Sequence, residues 1–473
     1  MVFSSPLFLF YFLPVVLLAY YLVPRRQILW KNVVLLIGSL FFYAWGEPVY
    51  VLLMLFSIAM DYGLGRWLEH EKTHGGHPGR VLALAVVFNL LLLGFFKYAN
   101  FLIGTVNSVA GLAIPLLELS LPIGISFYTF QALSYIIDLY RGEVEVQRSI
   151  LNFGTYVSLF PQLIAGPIVR MKTVAGELQD RQETFPEFAA GVRRFTVGLA
   201  KKALLANAAG EIWETVSALP ADSLPVLTAW IGLAAYTFQI YFDFSGYSDM
   251  AIGLGRMFGF HFEENFRYPY AAASITEFWR RWHITLSTWF KEYVYIPLGG
   301  NRKGLAKQIR NILVVWLLTG IWHGAGWNFV VWGLYFGVIL IVEKMGLLRL
   351  LDRIPAFFRH VYTMFLVMLS WAIFAFDSLG QGVRFIGTLF GSGGLVWNGQ
   401  SLYLLYSSAV LLVLLILGST EMPRKAVMLA GERLKSRPVI ATVGELGLIL
   451  AALVLCVAYL VDASYNPFLY FRF

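Results

Sequence analysis

The stretch Val439-Ile-Ala-Thr-Val-Gly-Glu-Leu-Gly-Leu-Ile-Leu-Ala-Ala-Leu-Val-Leu-Cys-Val-Ala-Tyr-Leu460 is apolar almost throughout. A run of about 20 such residues is what a helix needs to cross a hydrocarbon core of roughly 30 Å. Comparable runs occur at Val81–Phe96 and Leu402–Leu417. The whole 473-residue chain follows suit, with 58% hydrophobic and only 14% charged residues. A soluble chain carries about 25% charged residues, so this one lacks the charge to cover a water-facing body. The expectation is an all-α polytopic membrane protein. It reads as a single membrane-embedded domain over residues 1–473, with about 10–12 crossings.

The formal charge is +8. Lys and Arg fall in short loops between apolar runs, which is the cytoplasmic-side bias of membrane proteins rather than a nucleic-acid surface. Arg25, Arg26 and Lys31 place the loop after a retained first span (Pro6–Val23) inside, and Pro423–Arg437 is inside as well. The lone Cys456 rules out an intramolecular disulfide and reads as a small hydrophobe. The loop Arg66–Arg80 holds His70, His74 and His77 among glycines and reads as solvated, and no metal site is expected. Leu151–Ala165 is short for a crossing, broken by Pro161, and flanked on both sides by basic residues. It reads as a re-entrant segment, a backbone tolerated only when buried in protein or lining a cavity.

Ser274–Gly300 reads as an amphipathic helix at the membrane interface. Trp279, Trp282, Leu286 and Trp289 share one face at headgroup level, with Arg280, Arg281 and Lys291 off it. After the apolar Leu224–Tyr241 comes the cluster Asp243, Ser245, Ser248 and Asp249, which either lines a cavity or caps a helix at Gly246. Ser245 lacks the flanking glycines of a nucleophile elbow.

Ionisable groups inside a membrane mark function by default. Only about 12 apolar residues precede His323, and they reach about 18 Å. His323 is therefore expected deep in the bilayer, at a turn loosened by Gly324 and Gly326, beside Trp322 and Asn328. An imidazole there suits the deprotonation of a hydroxyl or the protonation of a leaving thiolate. His283 is the second candidate, either binding a donor headgroup or relaying protons, or facing water at the interface. A proton-coupled secondary transporter gated by His323 and a structural scaffold remain alternatives, although no internal repeat is evident.

Two runs together carry a specific likeness: Phe278-Trp-Arg-Arg-Trp-His-Ile-Thr-Leu-Ser-Thr-Trp-Phe-Lys-Glu-Tyr-Val-Tyr-Ile-Pro-Leu-Gly-Gly-Asn301 and Gly320-Ile-Trp-His-Gly-Ala-Gly-Trp-Asn-Phe329. With Met1–Ser5, Pro161–Pro167, Gln239–Asp249 and Pro467–Phe473, the chain resembles the membrane-bound O-acyltransferase superfamily, most closely its alginate O-acetylase branch. The resemblance implies a ring of tilted helices around a central funnel, in a bacterial inner membrane. It implies His323 as the catalytic histidine and His283 as its companion. Trp279, Arg280, Arg281, Trp282, Lys291, Trp322, Asn328, Asp243 and Ser245 would line the donor cavity. It further implies acetyl-CoA as donor substrate with no resident cofactor, an extracytoplasmic serine hydrolase-like (SGNH) partner, and an exopolysaccharide as final acceptor. The teichoic acid D-alanyl transfer branch shares both histidines and is the alternative within the superfamily.

Overall fold

In a computed structural model, residues 1–462 and 465–469 are described, and no strand occurs among them. The last four residues of the closing Pro467–Phe473 motif lie outside the described residues. The helices are α1 (Leu13–Leu22, entered by a π-helical turn Phe8–Phe12), α2 (Ile28–Ala44), α3 (Tyr50–Thr73), α4 (Pro78–Ala110), α5 (Ile125–Arg141), α6 (Ile150–Ser158), α7 (Phe160–Leu163), α8 (Met171–Gln179), α9 (Phe185–Ala200), α10 (Asn207–Ser217) and α11 (Val226–Met257). Then follow α12 (Ile275–Arg281), α13 (Ile284–Phe290), α14 (Leu305–His323), α15 (Trp327–Val342), α16 (Leu348–Leu351), α17 (Ala356–Phe374), α18 (Leu379–Leu389), α19 (Gly399–Gly418), α20 (Met422–Arg433) and α21 (Pro438–Asp462).

Among the described residues, six helices are long and apolar enough to cross a membrane: Tyr50–Thr73, Pro78–Ala110, Trp327–Leu351, Ala356–Phe374, Gly399–Gly418 and Pro438–Asp462. Two shorter apolar helices, Phe8–Leu22 and Ile28–Ala44, join them. Along α21, Val439, Leu448, Val454 and Val461 stand exposed. An apolar surface of that extent is stable against lipid tails and not against water. The chain is an all-α polytopic membrane protein.

It divides into two compact units: Met1–Phe195 with Tyr247–Glu264, and Thr196–Gly246 with Asn265–Phe473. The core of the first unit is α5, buried on nearly every face. Here α3 and α4 are tied by a buried bond from Asn89 Nδ2 to Asp61 Oδ1 of 2.6 Å. The expected break in Leu151–Ala165 is present: α6 ends at Ser158, Leu159 turns the chain, and α7 restarts before Pro161. The segment is buried in protein from Phe153 onward.

Lys31 departs from its expected place in a basic loop. It lies within α2, buried, with Nζ 2.9 Å from Glu183 Oε2. Tyr20 donates to the same carboxylate. Arg181 donates to Tyr20 Oη at 2.8 Å and to Asn32 Oδ1 at 2.7 Å. A lysine inside an apolar helix is tolerated because its charge is paired there, which the sequence around Lys31 does not reveal.

In the second unit, α14 and α15 form a hairpin. A Cβ on Gly320 would stand 2.4 Å from the Phe329 carbonyl oxygen, and one on Gly333 would stand 2.3 Å from that of Trp316. Small residues let the two backbones touch, the usual device where lipid supplies no hydrophobic drive between helices. The described C-terminal segment packs into this unit too, with Phe468 and Leu469 buried.

Candidate functional site

The expected continuous helix over Ser274–Gly300 is instead two short helices, α12 and α13, broken at Trp282 and His283. His283 has φ 45° and ψ 54°, the left-handed region. That conformation costs a non-glycine residue about 1–3 kcal/mol and persists only where its surroundings over-determine it. The surroundings are a neighbouring segment that pairs with the break. Arg267 N–H donates to the Arg281 carbonyl at 2.9 Å, and Ile284 N–H donates to the Asn265 carbonyl at 3.0 Å. The N-terminus of α12 is fixed by a remote carboxylate. Glu343, fully buried after α15, accepts from Ile275 N–H and Thr276 N–H at 2.8 Å each and from the Thr276 hydroxyl at 2.6 Å. A carboxylate at the positive end of a helix satisfies donors that have no intrahelical partner.

His283 does not face water; it is 0% exposed. Asn265, equally buried, sets its tautomer. Asn265 Oδ1 lies 3.2 Å from His283 Nδ1 and also accepts from Thr285 N–H at 3.3 Å and from the Thr285 hydroxyl at 3.0 Å. A backbone N–H can only donate, so the atom facing it is the oxygen, and His283 Nδ1 must carry the proton. The neutral ring therefore keeps its basic lone pair on Nε2.

His323 is the last residue of α14, 5% exposed. Helix α14 is longer than the apolar run suggests because it starts at Leu305, through basic turns carrying Lys307 and Arg310. The two histidines meet around one indole. The Trp322 ring centroid lies 6.0 Å from that of His283 and 5.0 Å from that of His323. Trp332 at 4.9 Å and Phe374 at 5.5 Å complete the wall of His323. Phe244 lies edge-on to His283 at 4.7 Å. Two bases in a desolvated aromatic shell can move a proton without competition from bulk water.

The other expected site residues divide. Trp279 and Trp282 are buried in protein. Trp282 packs on Phe266 at 5.1 Å and on Trp371 at 5.1 Å. Trp279, within α12, packs edge-on against Trp316 at 4.5 Å and Phe336 at 4.9 Å. Arg280 and Lys291 are exposed, and Arg281 pairs with Glu277 at 2.5 Å. Asn328 is buried, and its Nδ2 donates to the Phe376 carbonyl at 2.9 Å, tying α15 to the segment just after α17.

Asp243 and Ser245 cap nothing, because α11 runs unbroken through Gly246. Gly246 is instead a close contact, where a Cβ would lie 2.8 Å from the Gly198 carbonyl. Asp243 is buried and paired with Lys202 at 2.8 Å, and it accepts from Leu469 N–H at 2.8 Å. Lys202 also donates to the Pro467 carbonyl. Ser245 is buried one residue beyond Phe244. Asn265, Thr285, Trp332, Phe374 and Glu343 carry much of the site and were not singled out in the sequence. Asn265 sits in the polar run Glu263-Glu264-Asn265-Phe266-Arg267 and gives no sequence signal that sets it apart.

Residues 143–379 match the family described as MBOAT, membrane-bound O-acyltransferase family. The span includes both histidines. Over 496 residues, covering 100% of both chains, the protein is 39% identical to a Pseudomonas putida protein named probable alginate O-acetylase AlgI. It is 43% identical to the Pseudomonas aeruginosa protein of the same name, over 83% of this chain and 75% of that one. It is 34% identical to a Helicobacter pylori peptidoglycan O-acetyltransferase, over 83% of this chain and 80% of that one. With likeness over its full length and the paired histidines within the matched span, this chain belongs to the membrane-bound O-acyltransferase family, in its alginate O-acetylase branch.

Proposed function

We propose that the protein takes an acetyl group from cytoplasmic acetyl-CoA and passes it across the membrane for O-acetylation of an exopolysaccharide such as alginate. The observation that carries this reading is the pair of buried histidines packed around Trp322. In the proposed step, His323 accepts the proton of an attacking hydroxyl as its oxygen forms a bond to the thioester carbon. The carbon–sulfur bond then breaks with its electron pair on sulfur. The same proton returns to that sulfur, releasing the CoA thiol. No net proton is consumed, so one imidazole suffices to carry it between the two heteroatoms. His283, held in one tautomer by Asn265, offers a fixed basic nitrogen on the other side of Trp322.

Exposed Arg280 and Lys291 suit the phosphates of the donor, the arginine as a bidentate fork and the lysine as a point charge. The acceptor class is supported by the relatives named for alginate and peptidoglycan acetylation. An extracytoplasmic serine hydrolase-like partner completes delivery, because a polymer outside the cell needs a second transfer from the outer face. The test is His323→Ala, assayed for acetylation of the secreted polymer and for acetyl-CoA consumption by purified protein. Loss of both with normal membrane insertion is expected. Retained acetylation sinks the reading, and wild-type protein that consumes no acetyl-CoA favours a transporter.

A further inference from the structure

The indole N–H of Trp332 has no role in the fold. Trp332 is 1% exposed, and its Nε1 meets no hydrogen-bond acceptor among the described residues. A buried donor left unmade costs about 1–3 kcal/mol. Its ring packs against Trp279, Phe336, Trp371, Phe374 and His323. Those ring contacts use the faces and edges of the indole but not its N–H, so packing alone does not explain the buried donor.

Position gives a reason. The Trp332 and His323 rings stand edge to face, with centroids 4.9 Å apart and planes at 82°. Both are set by the same rigid contact. Gly320 lies one turn before His323, Gly333 lies next to Trp332, and a Cβ on either would strike the opposite backbone. The donor is thus held beside the proposed base by backbone packing and cannot drift from it.

We propose that Trp332 is a catalytic residue whose N–H donates to the carbonyl oxygen of the acyl donor as charge develops there. The proposal rests on the reading of His323 as the proton carrier of a thioester-to-hydroxyl transfer. As the hydroxyl oxygen bonds to the carbonyl carbon, its proton passes to His323 and the carbonyl π pair moves onto oxygen. Trp332 hydrogen-bonds that oxyanion. On collapse the pair re-forms the C=O bond, the C–S bond breaks with its electrons on sulfur, and His323 returns the proton to sulfur. A neutral donor suits this setting. In an aromatic shell of low dielectric it stabilises the oxyanion more than it would in water, and it carries no charge of its own to desolvate.

Trp332→Phe keeps an aromatic ring and removes the N–H. The expected result is a fall in kcat of about 100-fold, with KM for acetyl-CoA unchanged. Affinity for S-ethyl-CoA, a thioether that lacks the carbonyl, should also be unchanged. Should Trp332→Phe disturb folding, replacement of Trp332 by 3-benzothienylalanine gives the indole shape without the donor and should show the same split. Full kcat in either folded variant, alongside an inactive His323→Ala, overturns this role for Trp332 and leaves the acyl-transfer reading standing. Equal losses of kcat and of S-ethyl-CoA affinity also overturn it, because they mark a packing role. Activity retained in His323→Ala instead removes the underlying reading.

Discussion

At the scale of single residues, the site depends on how His283 is held. Its left-handed backbone and its Nδ1 proton are both fixed by the segment that begins at Asn265. Asn265→Leu is similar in size but accepts nothing. It should lower kcat by about 10–100-fold through misplacement of the ring, measured as acetyl transfer per properly inserted protein. Asn265→Asp keeps an acceptor at the same place and should recover part of the loss. Equal activity of Asn265→Leu and wild type would show that His283 needs no orientation. None of this is legible at residue scale in the sequence. His283 and His323 stand out because histidine is rare in an apolar chain, with 7 among 473 residues. Asn265, Trp332 and Phe374 belong to types common throughout it.

At the scale of elements, two packing devices govern stability. The α14–α15 contact tolerates no side chain, so Gly320→Ala and Gly333→Ala should each cost about 1–3 kcal/mol by overpacking. Activity should fall as well, because His323 and Trp332 ride on the separated helices. Thermal unfolding in detergent checks the first effect and acetyl transfer the second.

The other device is the buried group of Lys31, Arg181, Glu183 and Tyr20, which ties the segment before α9 to α1 and α2. Burial raises the Glu183 carboxyl, but hydrogen bonds from Tyr20 and Lys31 outweigh it and hold it below the ordinary carboxylate range. A carboxylate with a depressed folded value stabilises the fold above its unfolded pKa of about 4.3 and loses that contribution as pH falls through the folded value. Melting temperature should therefore drop on acidification below about pH 4. Glu183→Gln should melt lower than wild type at neutral pH, since breaking a buried pair costs about 3–5 kcal/mol. It should also show a shallower acid dependence. Parallel acid profiles for the two proteins would remove Glu183 from the account.

For the whole molecule, the basic loops make a topological prediction. Arg424 and Lys435 are exposed, and the connection they belong to, α20 and the turn after it, should lie on the cytoplasmic side. The native Cys456 is buried, so it should stay silent to labelling. A cysteine placed at Arg424 or Lys435 should react with an impermeant maleimide only when the cytoplasmic face is open. Labelling from outside intact cells would invert the orientation and contradict the proposed direction of acetyl transfer.

The sequence by itself determined the solvent: a chain with so little charge and such long apolar runs must hide its backbone in helices within a bilayer, because lipid offers peptide groups no partners. It also picked out His323, because a costly ionisable group in an apolar run needs a reason, and the motifs around both histidines carry the family. Only the tertiary structure decided what surrounds them. The kink at His283, its pairing with Asn265 and the burial of Trp279 and Trp282 depend on residues far apart in the chain. So do the pairing of Asp243 with Lys202 and the burial of Lys31 against Glu183. Periodicity records which face of a helix is apolar, but it does not distinguish lipid from protein as the cover for that face. In a membrane both are apolar, so the hydrophobic pattern that locates a core in a soluble protein is silent here. The cover is set by glycine contacts and buried hydrogen bonds, which join residues the linear order keeps apart.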